Sequence, residues 1–391
     1  MLPLEGLRVV ALEHAVAAPI CTRHLADLGA RVVKIERPGA GDFARGYDAA
    51  AFGQSTNFVW LNRGKQSVTL DVKHEGARAV LARLVGRADV LVQNLAPGAA
   101  DRLGLSYEAL AGTHPRLVVC DISGYGESGP YARKKAYDLL IQAESGVISI
   151  TGTPEQPARV GISLADICTG TYAHQGILAA LLRRERTGKG GSVKVAMLDA
   201  LAEWLHYPMY RAAYGQQSWV REATSNPLVA PYGAHKTADG QVIFGLQNDR
   251  EWAVFARDVL RRPDLADDPR FATNAARVEN RTELTRTIEA LFTTMGSVEV
   301  VALLDRTGIA NGRLNGPLDV WNHPQLAARE RWREVGTPGG RIRALLPPFT
   351  FHDAECVMGD VPALGEHTDA VLAELGYSAE AIADLYDAGA L

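Results

Sequence analysis

Short runs rich in Val, Ile and Leu alternate with helical patterns through the first 200 residues of the chain. These runs cover residues 7–13, 31–36, 67–72, 90–95, 116–123 and 192–198. Continuous apolar runs of this length, separated by helices, are typical of parallel strands that are buried on both faces. The pattern therefore predicts an α/β fold in which helices cover both sides of a parallel sheet.

The helices between these runs are marked by their ends. Pro19 and Gly29 predict a helix over 19–28, because proline favours the first turn of a helix and glycine follows the last. An amphipathic pattern predicts a second helix over 74–85. A long helix is predicted within 162–186, and the glycine-rich residues that follow it end it.

The pattern changes after residue 200, where the spacing of apolar residues no longer favours a parallel sheet. The features predicted there are a helical stretch over 201–219, a polar connection over 221–231, a hairpin over 233–246 and helices near 249–260, 280–294 and 297–307. Ser297 is the predicted cap of the last of these helices. Two further capped helices are predicted to begin near Thr368 and Ser378.

The net charge and the cysteine content limit the kinds of binding partner and the compartment that we expect for this chain. Lys and Arg total 41 against 45 Asp and Glu, so the formal net charge is -4 and whole-chain binding to nucleic acid is not expected. The four cysteines are far apart, which is typical of reduced thiols in a cytoplasmic protein. No run approaches the roughly 18 apolar residues of a membrane span, and the ten histidines lack metal-ligand spacing. We therefore expect no membrane partner and no metal site.

A glycine pattern after the fifth strand does not fit a dinucleotide site. Residues 124–129 match GxGxxG, but Pro130 and three successive basic residues, 133–135, follow where a helix should open. A glycine-rich turn accounts for this segment better than a nicotinamide site does.

Asp166 is placed where the long helix begins. A carboxylate in the first turn is stabilised by the helix dipole and by backbone N–H groups that lack helical partners. It is either an ordinary first-turn acid or a permanently ionised nucleophile that attacks an activated carbonyl group. The residues alone leave both interpretations open.

Four cations follow the carboxyl ends of predicted strands, where open α/β sheets bind their ligands. They are Arg37, Lys73, Arg102 and Lys135. Lys73 precedes a helix N-terminus, which is unfavourable for a cation unless an anion lies between the two. Each cation alone is typical of a solvated surface, but the four together predict a polyphosphate ligand.

Several ordered segments resemble one family nearly end to end. They are LADLGARVVKIERPGAGD at 25–42, LDVK at 70–73, NLAPG at 94–98 with DRLG at 101–104, YGESGP at 125–130, Ala165-Asp166, TGKG at 187–190, and GEHT at 365–368 with LGY at 375–377. With these segments the chain resembles the class III CoA-transferases. This superfamily includes the formyl-CoA and carnitine CoA-transferases and the α-methylacyl-CoA racemases.

The resemblance implies an overall architecture. It implies a Rossmann-like large domain built from both chain ends, a smaller α+β domain and an interlocked homodimer. The corresponding limits are 1–200 for the first part of the large domain, 201–224 for a linker, 225–330 for the small domain and 331–391 for the linker and C-terminal return.

The resemblance also implies a reaction and a site. Asp166 falls at the family's nucleophilic aspartate, which forms an acyl anhydride and then a CoA thioester. CoA and acyl-CoA are implied as substrates, with small carboxylic acids, and no permanent cofactor is implied. The residues that fall at CoA-binding positions are Val16, Ala17, Arg37, Leu70, Asp71, Val72, Lys73, Asn94, Leu95, Ala96, Arg102, Lys135, Ala136, Tyr137 and Asp138.

Departures from the family pattern bear on the substrate. Tyr137 stands where racemases have an acid–base histidine, which disfavours a racemase-like enzyme. Val16 replaces a glutamine, and residues 224–230 lack the glycine run of formyl-CoA transferases, which disfavours formate or oxalate chemistry. Residues 245–252 resemble members that act on C4–C5 dicarboxylates such as succinate, malate, citramalate, itaconate or mesaconate.

Two points stay open at this stage. Arg45, Arg63 and Arg221 are candidate cations for the second carboxylate of such a substrate. A racemase-like enzyme and a non-catalytic acyl-CoA binding protein remain the alternatives to a CoA-transferase.

Overall fold

The structure is a computed structural model that describes residues 1–216 and 218–391. The chain divides into two compact units. The first unit contains Met1–Val147, Val160–His206 and Leu326–Leu391, and the second contains Ile148–Arg159 and Tyr207–Gln325. Both ends of the chain therefore lie in the first unit.

A six-stranded parallel sheet forms the centre of the first unit. Its strands are β1 (Arg8–Leu12), β2 (Arg31–Glu36), β3 (Lys65–Thr69), β4 (Val90–Gln93), β5 (Val118–Ser123) and β6 (Gly191–Ala196). Their order is β3-β2-β1-β4-β5-β6, and every neighbouring pair is parallel. This is the doubly wound arrangement, in which the strand order reverses between β1 and β4. The predicted α/β class and parallel sheet are confirmed.

Eight helices lie between these strands in the chain, and a ninth follows β6. They are α1 (Ala17–Asp27), α2 (Thr56–Asn62), α3 (Glu75–Gly86), α4 (Ala99–Arg102), α5 (Tyr107–Leu110), α6 (Asp138–Glu144), α7 (Val147–Ile150), α8 (Leu164–Thr187) and α9 (Met197–Glu203). A 3₁₀ turn, Phe43–Gly46, precedes α2. Helices α1 and α8 approach closely because Gly170 has no side chain. A Cβ atom there would lie 2.3 Å from the carbonyl oxygen of Ala17.

The second unit combines helices with a small antiparallel sheet. Its elements, together with α16 at its boundary, are α10 (His206–Gly215), β7 (Tyr232–Lys236), β8 (Gln241–Gly245), α11 (Asp249–Val254), α12 (Asn274–Glu279), α13 (Arg281–Phe292), α14 (Ser297–Arg306), β9 (Asn311–Arg313), α15 (Pro317–Trp321) and α16 (Pro324–Ala328). The predicted hairpin is confirmed as β7 and β8. Trp252, Phe255 and Phe292 contribute to its buried core.

Helix α14 begins one residue away from its predicted cap. Gly296 holds the cap position, and Ser297 is the first helical residue. The Ser297 hydroxyl is bonded instead to Oδ1 of Asp239. Among the described residues no single helix is long and apolar enough to cross a membrane, although α13 and α14, bent by 106°, pass that test as a pair.

The last part of the chain returns to the first unit. It forms an antiparallel hairpin, β10 (Trp332–Thr337) and β11 (Gly340–Leu345), followed by α17 (Thr368–Glu374) and α18 (Ala379–Asp387). Alternate residues of β1 face two apolar clusters. Val10 and Leu12 face α3, α17 and α18, whereas Val9 and Ala11 face α1 and α8. Helices therefore cover both faces of the sheet, as predicted.

Strand β3 ends three residues before its predicted end. The run continues as apolar residues because Leu70 and Val72 pack against the core. The backbone nevertheless turns at Asp71, whose carbonyl group accepts the His74 N–H at 2.8 Å and whose Oδ1 accepts the Lys73 N–H at 3.1 Å. Residues Leu70 to Lys73 are thus a turn at the carboxyl edge of the sheet rather than part of the strand.

Candidate functional site

The loops after β1 and β4 meet where the strand order reverses, which is where doubly wound sheets bind ligands. Asn94 joins them. Its Oδ1 accepts the N–H of His14 at 3.0 Å, and its Nδ2 donates to the carbonyl oxygen of His14 at 2.9 Å. The side chain of Asn94 therefore fixes the loop that carries Val16 and Ala17.

Asp42 fixes the same loop from the other side. Its Oδ1 accepts the N–H of Ala15 at 3.2 Å and that of Ala44 at 2.9 Å. Ala15 adopts a left-handed backbone with φ of 62°, which is unfavourable for a residue with a side chain unless its surroundings hold it. Asp42 thus links the β1 loop to the 3₁₀ turn.

A buried charge network lies below these loops. Lys34 Nζ is 2.9 Å from Asp42 Oδ2 and 3.4 Å from Glu13 Oε1, and Lys65 Nζ is 2.7 Å from Glu13 Oε1. The four side chains are fully buried. Burial alone would raise the pKa of Glu13, but the charges of Lys65 and Lys34 lower it below its usual value. Two anions thus face two cations.

An aromatic surface extends from the switch point toward α8. The ring of His14 stacks on Phe43 with centroids 5.7 Å apart, and Phe43 lies 5.9 Å from Tyr47. Phe43 and Tyr47 are 53% and 50% exposed. Burial lowers the pKa of His14; the charge of Asp42 opposes this effect, and that of Arg37 reinforces it.

Tyr47 connects this surface to the start of α8. Burial raises the pKa of Tyr47, and the charges of Asp42 and Asp166 raise it further. Sequence reasoning did not select His14, Phe43 or Tyr47. An aspartate followed by a short aromatic segment predicts a capped turn. It does not predict what the aromatic rings contact in the folded chain.

The first turn of α8 is held by a side chain from another helix. Asp138, the first residue of α6, accepts the Ala165 N–H on Oδ1 at 2.8 Å. The Nε2 of Gln142 donates to Oδ2 of Asp138, also at 2.8 Å. Ser163 precedes the helix but makes no side-chain cap.

Asp166 lies one residue beyond this contact and is partly buried. Among the described residues none donates a hydrogen bond to its carboxylate. Burial, together with the negative charge of Asp138, raises the pKa of Asp166 to about 7. Burial and a neighbouring anion thus oppose the helix dipole, which favours the ionised carboxylate.

The other residues predicted to bind CoA divide by exposure. Val16, Ala17 and Leu70 are buried in apolar clusters, so a ligand can reach them chiefly through their backbone. Asp71, Val72, Leu95 and Ala136 are partly buried, whereas Ala96 and Tyr137 are exposed. Ala136 packs against Gly124. A Cβ atom added to Gly124 would lie 2.2 Å from the Cβ atom of Ala136.

The four predicted cations are exposed at the carboxyl edge or in the segments that follow it. Arg37, Lys73, Arg102 and Lys135 make no ion pair within the part of the chain that the structure describes. Arg37 is also brought close enough to His14 to influence it. All four side chains are therefore available to an anionic ligand.

The three arginines suggested for a second carboxylate are used elsewhere. Arg45 makes two hydrogen bonds, of 2.8 and 2.7 Å, to the carboxylate of Glu36. Arg63 does the same with Asp27, at 2.9 and 2.7 Å. Arg221 donates to three backbone carbonyl groups, those of Ser149, Thr153 and Pro154. All three guanidinium groups thus have partners within the protein, and their role toward a second carboxylate stays a prediction.

These features define a doubly wound α/β protein with a partly buried, unbonded carboxylate at a helix mouth and unpaired cations near its sheet edge. Residues 4–368 match the family model described as CoA-transferase family III. The chain belongs to this family and is an enzyme of the CoA-transferase type.

Named relatives agree with this assignment. The chain is 34% identical to the succinyl-CoA:glutarate CoA-transferase of Mus musculus, over 100% of its own length and 91% of the relative's. It is 38% identical to the acetyl-CoA:oxalate CoA-transferase of Acetobacter aceti, over 87% and 89% of the two chains. The crystal structure of a CAIB/BAIF family protein from Brucella suis matches with a TM-score of 0.84 and 36% identity, over 96% of this chain and 99% of that one.

Proposed function

We propose that the enzyme transfers CoA between small dicarboxylic acids, with Asp166 as the nucleophile. The observation that carries the proposal is the partly buried Asp166 carboxylate, which accepts no hydrogen bond from the described residues. The relatives named for succinyl-CoA, glutarate and D-citramalate support a dicarboxylate substrate. We favour C4–C5 acids such as succinate, malate, citramalate, itaconate or mesaconate.

The reaction proceeds through two covalent forms of Asp166. The carboxylate attacks the donor thioester carbon, and the C–S bond breaks to give an aspartyl–acyl anhydride and CoA thiolate. The thiolate attacks the aspartyl carbonyl carbon, and the donor acid leaves as a carboxylate. The acceptor carboxylate then attacks the carbonyl carbon of the aspartyl–CoA thioester, and the C–S bond breaks to give an aspartyl–acceptor anhydride and CoA thiolate. The thiolate attacks the acceptor carbonyl carbon of this anhydride, and Asp166 leaves as a free carboxylate. No proton is gained or lost overall.

The environment of Asp166 suits its role as a nucleophile. A carboxylate whose pKa is about 7 is more basic than an ordinary aspartate, and it is still half ionised near neutral pH. Greater basicity favours attack on a thioester, whereas a carboxylate held by hydrogen bonds or by a cation would be less reactive. Tyr47 and Asp138 shape this environment.

CoA is proposed to bind at the carboxyl edge of the sheet. Its phosphates would pair with Arg37, Lys73, Arg102 and Lys135, while the pantetheine passes the backbone near Val16, Leu70 and Asn94. The remaining residues that fall at CoA-binding positions of the family are proposed to contact CoA as well. Phosphate binding by exposed arginines and lysines weakens with ionic strength, so the KM for the CoA thioester should rise with added salt.

The enzyme is further proposed to be an interlocked homodimer of the cytoplasm. Helix α10 exposes Tyr207, Met209, Tyr210 and Tyr214, an apolar surface of the kind that marks a protein interface. Light scattering should give twice the mass of one chain. The four cysteines are free thiols, which agrees with a reducing compartment.

The test combines a substrate screen with one substitution. The protein is incubated with succinyl-CoA and a panel of acids that includes glutarate, citramalate, mesaconate and oxalate, and new thioesters are identified by mass spectrometry. Hydroxylamine added with succinyl-CoA alone should leave a hydroxamate on Asp166. Asp166→Ala should abolish transfer, whereas Asp199→Ala, another first-turn acid that is exposed, should retain it.

Two results would contradict the proposal. Transfer by Asp166→Ala at the wild-type rate would remove the nucleophile. Exchange of the α-proton of a 2-methylacyl-CoA in deuterated water, without any CoA transfer, would favour a racemase instead.

A further inference from the structure

Asp138 is engaged with the protein through both of its carboxylate oxygens. Oδ1 accepts the N–H of Ala165, and Oδ2 accepts an N–H of Gln142, both at 2.8 Å. Gln142 is fully buried and cannot rotate freely, since its Oε1 also accepts the Val160 N–H at 2.9 Å. Asp138 is therefore fixed beside the first turn of α8.

Two backbone amides in the first turn of α8 already have hydrogen-bond acceptors. An aspartate in the first turn of a helix commonly accepts a hydrogen bond from a free N–H of that turn. Here the Ala165 N–H is taken by Asp138, and the Leu164 N–H is directed at the carbonyl oxygen of Ile162, 2.8 Å away. Neither of these two amides donates to Asp166, and Asp138 holds the turn from which the Asp166 side chain extends.

We propose that Asp138 is a positioning residue for Asp166: it holds the Ala165 amide at the helix mouth and so fixes the first turn from which the nucleophilic carboxylate extends. This inference rests on the proposed function of Asp166. It gives Asp138 a role that its two occupied oxygens and negative charge fit better than direct contact with the phosphates of CoA.

The electrostatic effect of Asp138 reinforces the geometric one. Two carboxylates in a partly buried site disfavour joint ionisation, so Asp138 raises the pKa of Asp166 beyond the effect of burial. The charge of Asp166 in turn raises the pKa of Tyr47, which follows the 3₁₀ turn. Tyr137 and Asp42 act on Tyr47 in turn. Asp138 is the one group in this set that holds the α8 backbone.

The experiment measures the pH profile of the first half-reaction. Release of CoA from succinyl-CoA in the presence of hydroxylamine is followed in single turnovers between pH 5 and pH 9. Asp138→Asn keeps an oxygen for the Ala165 amide but removes the charge. We expect the apparent pKa of the profile to fall by about one unit and the plateau rate to fall roughly tenfold, because the nucleophile becomes less basic.

Two further variants separate positioning from general damage to the fold. Glu144→Gln neutralises another acid on α6, one that pairs with the exposed Lys134, and should leave the profile unchanged. Asp138→Glu keeps the charge but moves it. It should retain the wild-type apparent pKa with a plateau rate reduced roughly tenfold.

The outcomes that would overturn the inference differ from those that bear on the nucleophile. Asp138→Ala, which removes the acceptor of the Ala165 N–H, with a plateau rate within twofold of wild type would overturn the positioning role, and Asp138→Asn with a wild-type profile would overturn its electrostatic part. If Asp138→Ala does not fold, Asp138→Glu with a wild-type rate would overturn the positioning role instead. In either case Asp166→Ala remains inactive, whereas an active Asp166→Ala would refute the proposed function itself.

Discussion

Two groups of acidic side chains in the first unit, one fully buried and one partly buried, differ in how their charges are balanced. In the network below the β1 loop, Glu13 and Asp42 face Lys34 and Lys65, and each of the four is fully buried. At the mouth of α8, Asp166 has Asp138 for its charged neighbour and no cation among the groups that shift its pKa. Both groups flank the carboxyl edge of one sheet.

The difference separates a supporting role from a reactive one. Matched charges hold the β1 loop and the 3₁₀ turn in place, and they keep Glu13 ionised by lowering its pKa. The unmatched pair raises the pKa of Asp166 instead, which favours nucleophilic attack. Sites of catalysis commonly shift pKa values in this way, whereas supporting networks hold their charges by pairing.

Removing one cation from the matched network should have the largest effect. Lys34→Met would leave Glu13 and Asp42 facing Lys65 alone, and breaking a buried ion pair in this way costs about 3–5 kcal/mol. Urea unfolding at pH 7 should show this loss. Lys189→Met, which removes an exposed lysine from the turn after α8, is the matched control and should change stability by less than about 0.5 kcal/mol.

A small change at Lys34 would carry a clear meaning. If Lys34→Met lowered the free energy of unfolding by less than about 1 kcal/mol, the network would contribute no more than an exposed ion pair. The contrast between the two regions would then not depend on charge balance.

The buried network also contains a hydroxyl group that donates a hydrogen bond to one of its carboxylates. Thr22 donates to Glu13 Oε2 at 2.6 Å, and no other described group donates to that oxygen. Thr22→Val keeps the shape but removes the donor, and should cost about 1.5–3 kcal/mol because the hydrogen bond is to a charged group. Thr187→Val, at the exposed end of α8, should change the unfolding midpoint in urea little. Equal losses in the two variants would contradict the prediction.

The sheet was predictable from the sequence because its strands are apolar on both faces. The run 31–36 coincides with β2, the run 116–123 contains β5 from residue 118 onward, and Lys34 interrupts the first run without ending it. The turn at Asp71 was missed because Leu70 and Val72 keep the apolar pattern after the ladder ends. The local sequence pattern therefore predicts the sheet, but it does not predict the residues at which the strands end and the loops begin.

The candidate site was predictable only in part. Asp166 was selected because of its place at a helix start and its resemblance to a family, but its titration was not predicted. Its pKa is raised first by burial and then by the charge of Asp138, which lies 28 positions earlier, and both effects exist only in the folded chain. Tyr47 and His14 were missed for the same reason, since long-range contacts leave no local signal.

The unmatched pair should make the protein less stable above neutral pH. The pKa of Asp166 is raised to about 7 in the folded state, so the folded carboxyl keeps a proton that the unfolded chain has already released. Its contribution is fully present below about pH 4 and is lost as pH rises through 7. Asp166→Asn has no carboxyl group at this position, so its stability should not fall as the pH rises through 7. It should be more stable than wild type at pH 9 by about 1–2 kcal/mol, after allowance for partial exposure, and equal to it at pH 4.

The measurement compares urea unfolding of the two proteins at pH 4, 7 and 9. Asp199→Asn, at an exposed first-turn position, serves as the matched control and should show no such trend. An Asp166→Asn variant that was less stable than wild type at pH 9 would mean that the carboxylate is stabilised in the folded state after all.

An exposed ion pair sets the lower limit of the comparison. Lys194 Nζ lies 2.5 Å from Glu127 Oε2, nearer than Lys34 lies to Asp42, yet the two side chains are 44% and 55% exposed. Water and salt screen such a pair, so Glu127→Gln should lower the free energy of unfolding by less than about 1 kcal/mol, and by less still at high salt. Distance alone would rank this pair above the buried one. A loss as large as that of Lys34→Met would therefore show that proximity, rather than burial, decides what a charge pair contributes in this protein.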